Sequence, residues 1–263
     1  MSGSGDSGFG RWSMVSASVD LWMHHLDRQS DLASDLRLLS DDERKRADRF
    51  VADRDRDRFI CARAWMRRVL AGYARCGPAE LVFDYGEFGK PALASRHGRA
   101  PFFSLSHTGD LASLAVSPDL PVGVDIEAAR PIRENVAPWF FSPLENAMLD
   151  AMPAHQQRSG FYRCWTRKEA LVKADGRGLS MPLDSFDVTL DRDDEARLLR
   201  LDGDPQAHAR WRLLPFLPAN GVAGAVAVLA QGAFVRLRRR HGDHCFDLAR
   251  GSRRASEGVG AAV

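Results

Sequence analysis

The fold of this chain is decided by V-G-V-D-I-E at residues 122–127 and by W-T-R-K-E-A-L-V-K at residues 165–173. Apolar and acidic residues alternate in the first segment, which predicts a β-strand whose side chains point to opposite faces in turn. Asp125 and Glu127 therefore leave the same face of this strand. Because the opposite face is apolar, we expect the acidic face to meet a cleft or a partner.

The second segment predicts an α-helix with one functional stripe. Trp165, Glu169 and Lys173 are four residues apart, so they line up on one face of a helix. Together with Asp125 and Glu127, Glu169 makes three carboxylates, which resist ionising together at one point unless a cation holds them. Mg²⁺ prefers hard oxygen ligands and commonly bridges substrate phosphates. The residues alone therefore indicate a Mg²⁺-dependent enzyme that acts on a phosphate compound.

These segments and three further motifs, in the same order, resemble the Sfp-type 4′-phosphopantetheinyl transferases. G-V-D-I-E and W-x-x-K-E-A-x-x-K look like the signature pair of that family. F-G-K-P at 88–91, F-S-L-S-H-T at 103–108 and G-R-G-L-S at 176–180 look like its other motifs. The resemblance covers residues 39 to 229 and implies an α+β fold of two similar α/β halves in a pseudo-twofold arrangement. It also implies an active site in the cleft between the halves.

The resemblance implies an activity and assigns residues to it. Enzymes of this family transfer the 4′-phosphopantetheine arm of coenzyme A to a serine of an apo acyl or peptidyl carrier protein and release 3′,5′-ADP. By resemblance, Asp125, Glu127 and Glu169 hold Mg²⁺ (with Mn²⁺ as a substitute), Glu169 is the candidate base, and Lys173 neutralises or protonates the departing phosphate. The residues assigned to coenzyme A are Arg46, Arg58, Lys90, Ser106, His107, Lys168 and Lys173.

Several of these residues also fit an ordinary structural role. Lys168 and Lys173 suit ion pairing on the surface of a helix, which contributes only a few tenths of a kcal/mol. Lys90 and His107 suit solvated loops. Glu43 departs from the family, which often has a basic residue there, so one expected phosphate contact is in question.

Composition limits the class of protein to an ordinary globular one. The 263 residues carry a formal net charge of +2, which by itself does not indicate a nucleic-acid partner. The four cysteines form no C-x-x-C pair, and the longest apolar run is about half of what a membrane span needs. Lysine accounts for only four of 37 basic residues, and three of the four lie in the quoted motifs. We expect a soluble, cytoplasmic, monomeric protein that binds neither nucleic acid nor membrane.

Four segments follow from the hydrophobic pattern. We expect a disordered leader over 1–18, an N-terminal α+β half over 19–121, a C-terminal α+β half with the metal site over 122–235, and a disordered arginine-rich tail over 236–263. The capping-box pattern S-x-x-E predicts helix starts at Ser40 and Ser142. Further helices are predicted at 54–74 and 160–174, and strands at 19–22, 81–85, 101–105, 112–116, 122–127, 186–190, 211–216 and 222–230.

Two other functions compete with the transferase. A non-catalytic protein of the same fold that binds coenzyme A or a carrier is the first alternative, and the intact acidic triad argues against it. A nucleic-acid binder that uses residues 236–240 and 253–254 is the second, but no groove-reading element lies nearby. Phe140, Phe141 and Met148 fit either an apolar docking patch for a carrier or the hydrophobic core.

Overall fold

The structure is an α+β protein made of two similar halves, as the sequence predicts. It is a computed structural model that describes residues 16–26, 31–98, 100–132, 136–192 and 194–240. Each half has a β-sheet covered by one helix of 22 residues. The halves meet along the edges of their sheets, and this junction positions the site described below.

In its described residues, the first half contains three α-helices and five strands. Helix α2 begins after Ser40, where the backbone N–H of Ser40 donates to the Glu43 carboxylate, so the predicted helix start is confirmed. The strand predicted at 81–85 is shorter than expected and forms a hairpin with β3, which the sequence analysis missed. The elements are β1 (Ser16–His25), α1 (Leu32–Leu38), α2 (Asp41–Ala47), α3 (Asp53–Ala74), β2 (Phe83–Tyr85), β3 (Pro91–Leu93), β4 (Phe102–Thr108) and β5 (Leu111–Ser117).

The part of the second half that the structure describes contains four α-helices and six strands. Its long helix ends at Gly176, which adopts the left-handed conformation (φ +93°) that favours glycine. Ser142 caps α5 by accepting from the backbone N–H of Glu145 at 3.2 Å, as predicted. The elements are β6 (Val122–Ala128), α4 (Ala137–Phe140), α5 (Pro143–Asp150), α6 (Ala154–Asp175), β7 (Phe186–Val188), β8 (Leu198–Leu201), α7 (Ala207–Arg210), β9 (Trp211–Ala219), β10 (Val222–Leu229) and β11 (Phe234–Arg240).

Two main sheets carry the fold. The first has the order β11-β1-β5-β4, in which β1 is parallel to β11 and antiparallel to β5. The second has the order β6-β10-β9 and is antiparallel throughout. The pairs β2-β3 and β7-β8 form small hairpin sheets. Strands β4 and β6 therefore lie at the edges where the two main sheets approach each other.

Apolar side chains hold each long helix on its sheet. Trp65 and Leu70 of α3 share one buried core with Leu114 of β5, and Leu171 of α6 shares another with Ala225 of β10. All five residues are buried. Burying a leucine side chain fully contributes roughly 1.5–3 kcal/mol, so these contacts fix where each helix lies.

The predicted termini need correction. Residues 16–18 belong to β1 and residues 236–240 belong to β11, although both stretches were predicted to be disordered. The arginine-rich composition suggested disorder, but Val235 and Leu237 of β11 alternate with arginines as in a strand. Two arginines of β11 also donate to the buried Asp20 of β1. The remainder of both predicted termini lies outside the described residues.

No helix in the described part of the chain has both the length and the apolar composition that crossing a membrane requires.

Candidate active site

The two elements that carry the carboxylates touch because residue 123 has no side chain. Strand β6 presents Asp125 and Glu127 on one face, as the alternation predicts. A Cβ atom at Gly123 would lie 2.1 Å from the carbonyl oxygen of Ala170 and 2.4 Å from the backbone nitrogen of Ala174, both in α6. Since real Cβ atoms do not approach so closely, glycine allows α6 to rest directly against β6.

This close approach brings Lys173 of α6 onto Asp125 of β6. The Nζ atom of Lys173 lies 2.6 Å from Oδ1 of Asp125 and 3.3 Å from Oγ of Ser106. Asp125 is only 4% exposed, and among the described residues its Oδ2 atom has no hydrogen-bond partner. A buried carboxylate oxygen without a partner is energetically costly. Oδ2 therefore marks a position where a cation or a hydrogen-bond donor would be stabilised.

A cavity of about 360 Å³ opens beside these groups and collects the three carboxylates predicted from the sequence. It also contains the predicted serine, histidine and lysine of the site. The lining residues are Leu105, Ser106, His107, Asp125, Glu127, Trp165, Glu169 and Lys173. One motif of the first half and two motifs of the second thus meet in one place.

The cavity holds three carboxylates but only one lysine, Lys173, among its described lining residues. Burial raises the pKa of Glu127 above its ordinary value, and the neighbouring charge of Asp125 raises it further. The same two causes, in the same order, raise the pKa of Glu169, while Lys173 acts in the opposite direction. A nearby cation would stabilise the ionised form of such a carboxylate, because it offsets the repulsion from the neighbouring anion.

The donor set suits a divalent cation that prefers oxygen. All three acidic side chains offer carboxylate oxygens, and the unpartnered Oδ2 atom of Asp125 is one of them. Among the residues that the structure describes, no three acidic, histidine or cysteine side chains already stand close enough together to hold an ion. The chemistry of the donors and their excess negative charge nevertheless fit Mg²⁺.

A larger cavity of about 670 Å³ adjoins the acidic one and has a different character. The two cavities share Leu105, His107, Glu169 and Lys173. Cations and aromatic rings line the larger one, which suits an anionic ligand with a flat or apolar portion. Its basic residues are Arg46, Arg63, Lys90 and Lys173, and its aromatic residues are Phe59, Phe88, Phe103, Trp139 and Phe140.

Lys90 reaches this cavity while holding the end of α6. Its Nζ atom donates to the carbonyl oxygen of Ala174 at 2.9 Å and to that of Val122 at 3.3 Å. Burial lowers the pKa of Lys90 to about 8, although the charge of Asp175 acts against this shift. Lys90 thus links the first half to both elements that carry the carboxylates.

His107 lies in both cavities and favours the neutral form. Burial lowers the pKa of His107, and the cations Lys173 and Arg58 lower it further. A bound anion would offset these charges and stabilise the protonated ring, which donates two hydrogen bonds. His107 is therefore suited to contact a phosphate.

Comparison with known proteins identifies the family. Residues 26–119 match the family described as "4'-phosphopantetheinyl transferase, N-terminal", and residues 121–227 match the "4'-phosphopantetheinyl transferase superfamily". The 4'-phosphopantetheinyl transferase HetI of Nostoc sp. is 36% identical over 224 residues, which cover 84% of this chain and 91% of the relative. The chain belongs to the 4′-phosphopantetheinyl transferase family.

Further relatives place this phosphopantetheinyl transferase near the Sfp type. The enzyme Sfp of Bacillus subtilis is 32% identical over 160 residues, or 61% of this chain and 70% of the relative. AcpT of Salmonella typhimurium is 43% identical over 131 residues, or 48% of this chain and 65% of the relative. A solved structure titled "Chronobacterium ammoiniagenes apo-ACPS structure" covers 41% of this chain and 94% of its own, with 20% identity and a TM-score of 0.32. The family and these curated relatives are named for transfer of the 4′-phosphopantetheinyl group.

One residue assigned to coenzyme A lies outside the site of this phosphopantetheinyl transferase. The side chain of Lys168 is fully buried, and its Nζ atom pairs with Oε2 of Glu145 at 2.7 Å. It also donates to the carbonyl oxygens of Leu183 and Phe186 at 2.7 and 2.6 Å. One residue along a helix turns a side chain by about 100°, so Lys168 faces the core while Glu169 faces the cavity. The predicted contact with coenzyme A is therefore corrected to a structural ion pair.

Arg58 also lies outside both cavities. Its guanidinium pairs with Asp110 at 2.7 Å and with Asp55 at 3.3 Å. The structure instead places Arg63, one helical turn further along α3 and slightly beyond, in the larger cavity beside Arg46. Arg63 was missed because no motif marks it, although its spacing from Arg58 on the helix was available in the sequence.

The departure at Glu43 has a structural explanation. Glu43 is 2% exposed, and its carboxylate accepts from Nε of Arg63 at 2.8 Å and from Nε of Arg67 at 2.7 Å. Burial acts to raise the pKa of Glu43, but the two arginines outweigh it and keep the pKa below its ordinary value. Glu43 therefore holds Arg63 where it lines the larger cavity. Glu43 itself lines neither of the two cavities.

The apolar residues considered for carrier docking divide between core and surface. Phe141 is buried, and Met148 packs against the core of the second half. Phe140 is 40% exposed and Trp139 is 83% exposed, and both line the larger cavity. Of the three predicted residues, only Phe140 is exposed at the larger cavity, where it forms the apolar rim together with Trp139.

Proposed function

We propose that this chain transfers the 4′-phosphopantetheine arm of coenzyme A to a serine of an apo acyl or peptidyl carrier protein, that it needs Mg²⁺, and that it releases 3′,5′-ADP. The observation that carries the proposal is the position of Glu169 and Lys173. Both side chains line the acidic cavity and the larger basic one, so a pyrophosphate held at the boundary would meet both. We expect a cytoplasmic monomer.

The nucleotide portion of coenzyme A suits the larger cavity. Its phosphates are anionic, and Arg46, Arg63 and Lys90 supply positive charge there, while aromatic side chains supply stacking surface. His107 adds a donor that becomes charged beside an anion. This arrangement orients the pyrophosphate toward the acidic cavity, where positioning supplies much of the rate enhancement.

In the proposed reaction the serine hydroxyl oxygen of the carrier attacks the β-phosphorus of coenzyme A. The bond from that phosphorus to the oxygen bridging to the nucleotide breaks, and 3′,5′-ADP leaves with the bonding electrons. Glu169 accepts the hydroxyl proton, for which its raised pKa makes it a better base than an ordinary carboxylate. Lys173 offsets the charge that develops on the departing phosphate.

Asp125, Glu127 and Glu169 would hold the metal. When bound there, Mg²⁺ or Mn²⁺ supplies positive charge to pyrophosphate oxygens during phosphoryl transfer. A non-catalytic protein would not need a base and a cation where the two cavities meet, yet Glu169 and Lys173 are both present there.

Intact-mass spectrometry of an apo carrier tests the proposal directly. Incubation with this protein, coenzyme A and Mg²⁺ should add roughly 340 Da, the mass of one phosphopantetheine group, and EDTA should prevent the gain. Glu169→Gln should abolish the gain without loss of fold. Glu195→Gln is the matched control, because Glu195 is half-exposed and pairs only with surface arginines in the described region. No gain with several carriers, despite measurable coenzyme A binding, favours the non-catalytic alternative.

A further inference from the structure

A row of hydroxyl groups joins the two halves of the molecule. Strands β4 and β6 are edge strands of different sheets, and edge strands leave backbone N–H groups that need acceptors. Here side chains of β4 serve as those acceptors. Every second residue takes part on both strands. The backbone N–H of Val124 donates to Ser104 Oγ at 3.1 Å, that of Ile126 to Ser106 Oγ at 3.3 Å, and that of Ala128 to Thr108 Oγ1 at 3.2 Å.

Two of the three hydroxyls also bind a carboxylate of the site. Oγ of Ser106 lies 2.9 Å from Oδ1 of Asp125, and Oγ1 of Thr108 lies 3.2 Å from Oε2 of Glu127. A hydroxyl has one proton to donate, and an ionised carboxylate only accepts. Because the backbone N–H already donates to each hydroxyl, the hydroxyl proton points to the carboxylate. Among the described residues Ser104 has no carboxylate partner, since Gly123 stands at the equivalent place on β6.

We propose that Ser106 and Thr108 are positioning residues that orient Asp125 and Glu127 for metal binding. The inference rests on the proposed metal site. Ser106 and Lys173 occupy Oδ1 of Asp125 and leave the buried Oδ2 atom as the oxygen available to a cation. The proton of Ser106 is thereby committed to Asp125, which differs from the contact with coenzyme A that the sequence suggested.

The test measures Mn²⁺ binding without coenzyme A, by electron paramagnetic resonance of free Mn²⁺. Ser106→Ala and Thr108→Val should each weaken Mn²⁺ affinity by about tenfold or more, as loss of a hydrogen bond to a metal ligand commonly does. Ser104→Ala is the matched control. It removes the same kind of acceptor for a backbone N–H, but the Ser104 hydroxyl contacts no carboxylate in the described part of the chain. Loss of the backbone hydrogen bond should lower Tm by about 2–4 °C in all three variants, and Ser106→Ala and Thr108→Val, which also lose a bond to a carboxylate, should lose somewhat more.

The pattern across the three variants decides the outcome. Weaker Mn²⁺ binding in Ser106→Ala and Thr108→Val but not in Ser104→Ala supports the positioning role, and either of the two suffices if the other does not fold. Equal loss in all three variants, or loss in none, overturns it while leaving the metal site in place. If the wild-type protein itself binds no Mn²⁺, the metal assignment fails and this inference fails with it.

Discussion

Replacing Gly123 by alanine would put a methyl group where the backbone of α6 now lies. The added Cβ would stand 2.1 Å from the carbonyl oxygen of Ala170, whereas ordinary van der Waals contact begins at 3.4 Å. The obstacle is helix backbone, which cannot turn aside as a flexible side chain can. Helix α6 must therefore move away from β6 by roughly 1 Å or more.

Both stability and catalysis should suffer from this displacement. Overpacking a tight site typically costs about 1–3 kcal/mol, and each kcal/mol lowers Tm by about 2–4 °C in a chain of this size. We therefore expect Gly123→Ala to lower Tm by about 2–12 °C. The same movement carries Glu169 and Lys173 away from Asp125, and a misplacement of about 1 Å costs on the order of 100-fold in rate.

Circular dichroism on heating measures the first effect, and the rate of holo-carrier formation at saturating coenzyme A measures the second. Gly86→Ala is the control, because a Cβ there would meet nothing nearer than the carbonyl oxygen of Lys90 at 3.7 Å. This variant should keep the wild-type Tm. A Gly123→Ala protein with both Tm and rate unchanged would refute the argument that close backbone approach sets the geometry of the site.

Three other predictions concern buried charges. Lys168→Met should lower the free energy of unfolding by about 3–5 kcal/mol, because Glu145 is left buried and unpaired. Urea denaturation measures the loss, and an unchanged midpoint contradicts it. Glu169→Gln should raise Tm in metal-free buffer at pH 7 but not at pH 4. The raised pKa of Glu169 means that the folded state favours the protonated carboxyl group. The contribution of that group to stability is therefore present below the ordinary pKa of 4.5 and is lost as pH rises through the folded-state pKa. Calorimetry at both pH values checks the sign. Lys90, with a pKa of about 8, should take up a proton near pH 8 when 3′,5′-ADP binds. Titration calorimetry in two buffers of different ionisation enthalpy detects this uptake, and its persistence in Lys90→Met would assign the proton to another group.

Local spacing was sufficient to predict which acidic side chains line one cavity. Alternation on β6 and the four-residue period on α6 placed Asp125, Glu127, Glu169 and Lys173 on the correct faces. These inferences depend only on how one strand or one helix directs its side chains. The cavity lined by all four confirms that these faces meet.

The errors came from partners that are distant along the chain. Lys168 pairs with Glu145, which lies 23 positions earlier on another helix. Its ammonium group also donates to the carbonyl oxygen of Phe186, and nothing in W-x-x-K-E-A indicates either contact. The strand β11 was missed because an arginine-rich sequence usually stays in water. Its partner Asp20 stands more than 200 residues away, beyond the reach of any local pattern.

The parallel pairing of β1 with β11 also constrains the order in which the molecule can assemble. During synthesis the first half emerges early, but the outermost strand of its sheet is the last one that the structure describes. Asp20 is 2% exposed in the finished protein and receives hydrogen bonds from Arg238 and Arg240, both at 2.8 Å. Until those arginines have left the ribosome, its carboxylate lacks their charge. The first half therefore cannot reach its final sheet as an independent folding unit, and two fragments cut between the halves should recover the native structure only when both are present.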